Sequence, residues 1–253
     1  MCFHIAGYRQ ITFKTVCNET DDIRSGSNEA LILNLQAAGQ LENTYIFFTS
    51  DNGFHLGQHR LRPGKATPYD EDIRVPLLAR GPDLPAAQRH RALVGNIDLP
   101  ATFADIAGLD RPRHFDGRSL LPTMCEGSPP SGWREAYLIE HYISKSESYE
   151  DYAKEDLPEK ESLLDTENLQ DSGAYRPAFK GLRTNDSLYV EYNTGERELY
   201  DLIKDPYQIE NLADSAEKGY IEEFSMWLNR VSSARGQANL KVEEMPDKLR
   251  KSY

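Results

Sequence analysis

The apolar positions of this chain fall into patterned stretches separated by long polar ones. Residues 1–26 show no clear period, and "CNETDDIRSGSN" reads as a polar loop. From Ser27 the pattern changes. Leu31, Leu35 and Ala38 share a helical face, and Ala30, Ile32 and Leu33 widen it. Ser27 or Asn28 suits the N-cap and Gly39 the C′ position, so a well-buried helix is expected over 27–40. "NTYIFFTS" follows as a continuous apolar, β-rich run, the mark of a strand covered on both faces. Helix, short loop and buried strand together form the repeating unit of an α/β sheet. "RVPLLARGP", residues 74–82, is the next strand candidate, with Pro76 near its start making a central position less secure. "ALVGNIDLPATFADIAGLD" reads as a short strand and then a helix. Asp98 is its expected N-cap, Pro100 fits the first turn, Leu99, Phe103 and Ile106 share a face, and Gly108 ends it. "PTMCEGSPPSGWRE" is rich in Pro, Gly and Ser and reads as a connection.

Beyond that connection "AYLIEHYI" is a strand candidate. Residues 144–173 are acidic and polar and read as a long loop or insertion. "FKGLRTNDSLYVEYNTGERELYDL" reads as two or three antiparallel strands, with turns at Asn185-Asp186 and Asn193-Thr194-Gly195. "IEEFSMWLNRV" is an amphipathic helix with Phe224, Leu228 and Val231 at i, i+4 and i+7. The charged end "KVEEMPDKLRKSY" is expected to fray. The fold class is therefore α/β: a sheet with helices on both faces, then a small antiparallel sheet with a packed helix. The implied divisions are an irregular segment 1–26, an α/β region 27–133, a C-terminal subdomain 134–240 containing the 144–173 insertion, and a tail 241–253.

Composition narrows the function classes. The chain has 253 residues, 39% hydrophobic and 28% charged, as a globular protein does. Its net charge of −12 argues against a nucleic-acid surface, which needs clustered Lys and Arg. No apolar run approaches a membrane span, and the N-terminus lacks the charged-then-apolar pattern of a signal peptide. Localisation stays open. Cys2, Cys17 and Cys125 are odd in number and lack metal-ligand spacing, so they read as ordinary thiols.

The chemistry concentrates in "FFTSDNGFHLGQHRLRPGK", residues 47–65. Ligand sites of open α/β sheets lie beyond the carboxyl ends of strands. Asp51 and Asn52 sit there, and both offer oxygen to a hard cation such as calcium or magnesium. Gly53 permits a sharp turn, Lys65 brings a fixed positive charge, and His55 or His59 supplies an imidazole. The same Asp-Asn-Gly is also ordinary turn chemistry, and residue types alone favour that reading. A zinc pair from His55 and His59 on a helix is disfavoured by Gly57 and Pro63.

"YIFFTSDNGFHLGQHRL…GKATPYDEDIRVPLLARGP", then "NIDLPATFADIAGL", "DGRSLLP" and "LRTNDSLYVEYNTGERELYDLIKDPYQIENLA", resemble the sulfatase family of the alkaline phosphatase superfamily. The likeness covers roughly residues 28–122 and 174–213, in the family's order and spacing, and is of the arylsulfatase and N-acetylglucosamine-6-sulfatase type. It implies a partial alkaline-phosphatase-like sheet and hydrolysis of a carbohydrate or aryl sulfate ester. It makes Asp51 and Asn52 ligands of Ca2+ or Mg2+, Lys65 a sulfate contact and His55 a substrate-side or leaving-group contact. His59 would orient the loop, and Glu140 and His141 either reach the cleft or serve packing and the surface.

The family's nucleophile is a formylglycine made from the cysteine of a Cys-x-Pro-Ser-Arg motif, and no cysteine of this sequence stands in such a motif. The family's first-strand Asp-Asp pair is missing too, since no apolar strand leads into Asp21 and Asp22. Tyr8 and Arg9 are traces of the family's segment before the helix. The resemblance is thus to the C-terminal part of a sulfatase, expected to be inactive alone and to need a partner chain over its exposed sheet. A binding module without catalysis and a phosphate or phosphonate ester hydrolase are the other readings. The expected partner is a sulfated small molecule or carbohydrate, with no nucleic acid and no membrane. The 144–173 insertion is either a pocket wall or a surface excursion.

Overall fold

The computed structural model describes residues 4–5, 22–142, 177–236 and 239–250. In chain order its elements are β1 (His4–Ile5), α1 (Asp22–Ala37), β2 (Ile46–Thr49), α2 (Asp70–Ile73), β3 (Leu77–Arg80), β4 (Arg89–His90), α3 (Asp98–Ile106), α4 (Leu121–Glu126), β5 (Tyr137–His141), β6 (Phe179–Arg183), β7 (Ser187–Tyr192), β8 (Arg197–Asp201), α5 (Lys218–Ser233) and α6 (Asn239–Val242). The class is mixed α/β. The chain divides into two compact units, Met1–Ser50 with Pro76–Trp133 and Asp51–Val75 with Arg134–Tyr253. Among the described residues no helix is long and apolar enough to cross a membrane. The 144–173 insertion, Cys2, Cys17, Tyr8, Arg9 and Asp21 lie outside the described residues.

In the first unit β2 and β3 pair antiparallel, Ile46 opposite Arg80 and Thr49 opposite Leu77. β1 and β4 form a parallel pair. The strand period of two sends Leu77 and Ala79 into a core with Leu120 and Met124, against which Phe47 packs. Phe47 also meets the Phe103 ring edge-on at 5.3 Å. Phe48 points to the opposite face and is 45% exposed. The expectation of a strand covered on both faces is thus corrected: one face of β2 is covered. The same holds for α1. It begins at Asp22 rather than after Ser27, and Leu31 and Leu33 are 48% and 55% exposed. An apolar stripe is buried only where another layer packs on it, and the described residues place none there.

Two further local expectations change. Asp98 is the first residue of α3, and Ile97 occupies the N-cap position. Asp98 is fully buried, and its carboxylate accepts the Gly95 N–H at 2.9 Å and the Arg118 N–H at 2.8 Å. Thr102 Oγ1, donating to Asp98 O, accepts from Leu120 N and ties α3 to the segment entering α4. The start of the supposed Pro-rich connection is α4 itself. Pro122 stands in its first turn, where a missing N–H costs nothing, and Met124 is fully buried.

In the second unit β5-β6-β7-β8 form an antiparallel sheet in that order. The β6–β7 turn falls at Asn185-Asp186, closed by Thr184 N–H to Ser187 O at 2.9 Å. The β7–β8 turn falls at Asn193-Thr194-Gly195, with Tyr192 N–H on Glu196 O. α5 buries Ile221, Phe224, Trp227, Leu228 and Val231, the spacing its sequence announced. These pack on Leu182, Tyr189 and Leu199 of the sheet. Trp227 Nε1 donates to Val242 O at 2.8 Å, satisfying its one donor inside the core. The end of the chain, expected to fray, is packed through Arg250. Leu249 joins the core, and Arg250 grips both oxygens of Glu135 at 2.9 Å.

These burials generate a contrast. Trp227→Ala should cost about 3–5 kcal/mol in urea unfolding, whereas Phe48→Ser should stay within about 0.5 kcal/mol. A Phe48→Ser loss as large as that of Trp227→Ala would mean that the exposed face of β2 is covered in solution.

Candidate functional site

Beyond β2 the chain turns at Asp51. Asp51 Oδ1 accepts the Asn52 N–H at 2.9 Å, a local side-chain turn. Asn52 Nδ2 donates to Gly53 O at 2.7 Å, which directs Asn52 Oδ1 to Lys65 Nζ at 3.5 Å. Amide oxygen and ammonium therefore converge although thirteen residues separate them. Gly53 is required by close approach. A Cβ there would stand 1.9 Å from Glu71 O, because the Gly53 N–H donates to Asp72 O at 2.7 Å.

The loop from His55 to Gly64 is closed by two backbone bonds, His55 N–H to Gly64 O and Gly64 N–H to His55 O. His55 is 1% exposed. Its Nδ1 lies 2.9 Å from Asp72 Oδ1, and its Nε2 donates to Arg62 O at 2.8 Å. The sequence places His55 beside the sulfate. In the structure one ring nitrogen is engaged by Asp72 of α2 and the other by Arg62 O within the loop. His59 stacks on Tyr69 with 3.6 Å between centroids and pairs with Glu71 at 3.5 Å. His59 and Arg60 both take positive φ, 55° and 58°, a conformation uncommon outside glycine. Glu140 pairs at the surface with Lys180 at 3.8 Å and accepts from Tyr142 Oη, and His141 lies against Phe179.

Asp72 organises the segment. Its carboxylate meets His55 Nδ1 and accepts Thr67 N–H at 2.8 Å and Thr67 Oγ1–H at 2.6 Å. It thereby brackets Lys65 from both sides in sequence. The helix carrying Asp72, α2, is held in turn through Asp70. Arg183 Nε and Nη2 reach the two Asp70 oxygens at 2.9 and 3.1 Å, and Arg74 adds a contact at 3.0 Å. Asp70 N–H donates to Gln208 Oε1 at 2.9 Å. Burial alone would raise the Asp70 carboxyl, but hydrogen bonds and charge from Arg183 and Arg74 outweigh it and hold the group below its ordinary value. Next to it Tyr69 Oη donates to Glu198 Oε1 at 3.2 Å. Burial, then the Glu198 charge, pushes the Tyr69 hydroxyl up to about 12. Asp70, Asp72, Arg183 and Gln208 were not singled out in the sequence. Three acids stand together in "DED", and nothing in their pattern says which are buried.

Asp51 and Asn52 fit a calcium or magnesium ion as oxygen donors, but as part of a shell only, since calcium takes six to eight oxygens. Among the described residues no three of His, Cys, Asp and Glu gather as a metal-binding group. Burial first, then the charges of Asp83, Glu126 and Asp105, push the Cys125 thiol up, the reverse of what a reactive thiolate needs.

The Sulfatase family model matches residues 29–109, the span that contains the loop and α2. Over 215 residues the chain is 36% identical to N-acetylglucosamine-6-sulfatase of Homo sapiens, covering 82% of this chain and 38% of that protein. The chain belongs to the sulfatase family. A solved structure of a protein in complex with its substrate D-glucosamine-2-N,6-O-disulfate is 28% identical at a TM-score of 0.63, covering 88% of this chain and 40% of that one. The phosphonate monoester hydrolase of Silicibacter pomeroyi is 25% identical at a TM-score of 0.64, covering 85% and 40%. The chain thus spans about two fifths of the length of these relatives.

Two outcomes are expected within this site. Asp72→Ala strands a buried imidazole and two Thr67 donors, and should cost about 3–5 kcal/mol in urea unfolding. Gly53→Ala should also destabilise, through the backbone shift it forces. Separately, the lowered Asp70 carboxyl contributes stability that is full near neutral pH and is lost as pH falls through its folded value. The urea midpoint of wild type should therefore drop more steeply on acidification than that of Asp70→Asn.

Proposed function

We propose that this chain carries the cation-and-anion part of a sulfuric ester hydrolase site acting on a sulfated carbohydrate. In this reading Asp51 and Asn52 are ligands of Ca2+ or Mg2+, and Lys65 contacts the sulfate. His55 serves by holding the loop rather than by touching substrate. The observation that carries it is the 3.5 Å approach of Lys65 Nζ to Asn52 Oδ1, which sets a fixed cation beside an oxygen ligand. A bound divalent ion would neutralise the ester oxygens, while Lys65 would hold the anionic group in place. The substrate class rests on the glucosamine sulfate named for the relatives.

The nucleophile and the remaining ligands come, in this reading, from polypeptide outside these 253 residues. Three observations support it. The sequence holds no Cys-x-Pro-Ser-Arg motif, relatives are matched over about two fifths of their length, and Leu31, Leu33 and Phe48 stand exposed in the first unit. That surface is where a partner segment would pack. The likeness to a phosphonate monoester hydrolase favours a second reading, in which the same groups grip a phosphonate ester.

Calorimetric titration of the purified chain tests both. Asp51→Ala should weaken calcium about tenfold or more. Lys65→Ala should weaken glucosamine-6-sulfate while leaving calcium binding in place. Identical affinities across wild type and both variants would remove the reading, and a preference for phenylphosphonate over the sugar sulfate would move it to the second one. No aryl sulfate turnover is expected from the chain alone. Robust turnover abolished by Asp51→Ala would overturn the assignment of the nucleophile to another segment.

A further inference from the structure

The region after β8 spends several side chains on holding one loop. Asp205 Oδ2 accepts the N–H groups of Ile209 and Glu210 at 2.7 and 2.8 Å. Asn211 Oδ1 accepts those of Leu199 and Ala213 at 3.0 and 2.9 Å. Between these clamps Gln208 stands at φ 56°, a left-handed backbone that a non-glycine residue rarely adopts. It is 1% exposed, and its Nε2 is buried with no partner among the described residues. A strained backbone and an unmatched buried donor are both unfavourable. What they secure is the placement of Oε1, 2.9 Å from the Asp70 N–H.

Arg183 reaches the same residue from β6. Its Nε and Nη2 take the two Asp70 oxygens in a planar fork, a geometry that fixes orientation as well as distance. Asp70 is therefore held at its backbone by one element and at its side chain by another. Two residues on, Asp72 holds Thr67 and His55, and these flank Lys65 in sequence. The connection from the C-terminal region to the segment carrying Lys65 runs from Arg183 and Gln208 to Asp70, across two residues of α2 to Asp72, and from Asp72 to Thr67 and His55.

We propose that Arg183 and Gln208 are positioning residues for Lys65, setting from the C-terminal sheet where its ammonium meets the anion. The proposal rests on the reading of Lys65 as the sulfate contact. It gives the C-terminal subdomain a part in anion binding, although neither residue touches the anion.

Inorganic sulfate is the probe, titrated calorimetrically into the intact chain at a temperature where circular dichroism shows every variant folded. Arg183→Lys keeps the charge and loses the fork, and Gln208→Met keeps the length and loses the acceptor. Each should weaken sulfate about fivefold or more. Val231→Ala, in α5, serves as a control that lowers stability without entering this connection and should leave sulfate affinity unchanged. Wild-type-like affinity in Arg183→Lys and Gln208→Met, with binding still lost in Lys65→Ala, would overturn the positioning role alone. An equal loss in Val231→Ala would also overturn it, by reducing the effect to stability. A wild type whose sulfate binding is indifferent to Lys65→Ala would overturn this proposal together with the site reading beneath it.

Discussion

The Asp72 carboxylate is buried, and three groups converge on it: the His55 ring nitrogen Nδ1, the Thr67 amide and the Thr67 hydroxyl. A buried charge is stable only when it is paired and hydrogen-bonded. The segment from Gly53 to Thr67 follows a path that delivers those groups. The path brings Gly53 against the backbone of α2 so closely that no side chain fits there. It closes the His55–Gly64 loop with a pair of backbone bonds. It leaves Lys65, half-buried, with its ammonium at the Asn52 amide oxygen. Convergence of amide and ammonium is thus a consequence of how one carboxylate is satisfied.

Much of the fold was legible because its signals are local. The α5 stripe, the two turns of the C-terminal sheet and the strand character of 46–49 follow from period and turn chemistry, and the structure has them where the sequence put them. What period cannot tell is whether a second layer exists. Leu31 and Phe48 read as core by pattern and stand exposed. Nor does composition separate a connection from a helix, since Pro122 begins α4 rather than breaking it, and the burial of Met124 decides the matter.

The candidate site shows the same division. Asp51, Asn52 and Lys65 lie within one stretch of sequence, 47–65, and could be named as candidates from it. Asp70, Asp72, Arg183 and Gln208 hold that motif from sequence separations of up to 138 residues, where no local pattern reaches. His55 marks the boundary. Its residue type invites a catalytic reading, while its burial, with Asp72 on one nitrogen and Arg62 O on the other, is nothing the motif announces. An imidazole in a polar loop is a chemical opportunity, and packing decides whether the protein uses it for chemistry or for shape.

Amide hydrogen exchange at single-residue resolution reaches the central claim most directly. If the Asp72 carboxylate organises the segment, the Gly53, His55, Gly64 and Thr67 amides exchange slowly and as one group. In Asp72→Ala all four become fast while the β6–β8 amides stay protected. Exchange of those four amides in the wild-type chain at the rate of open loop positions would contradict it.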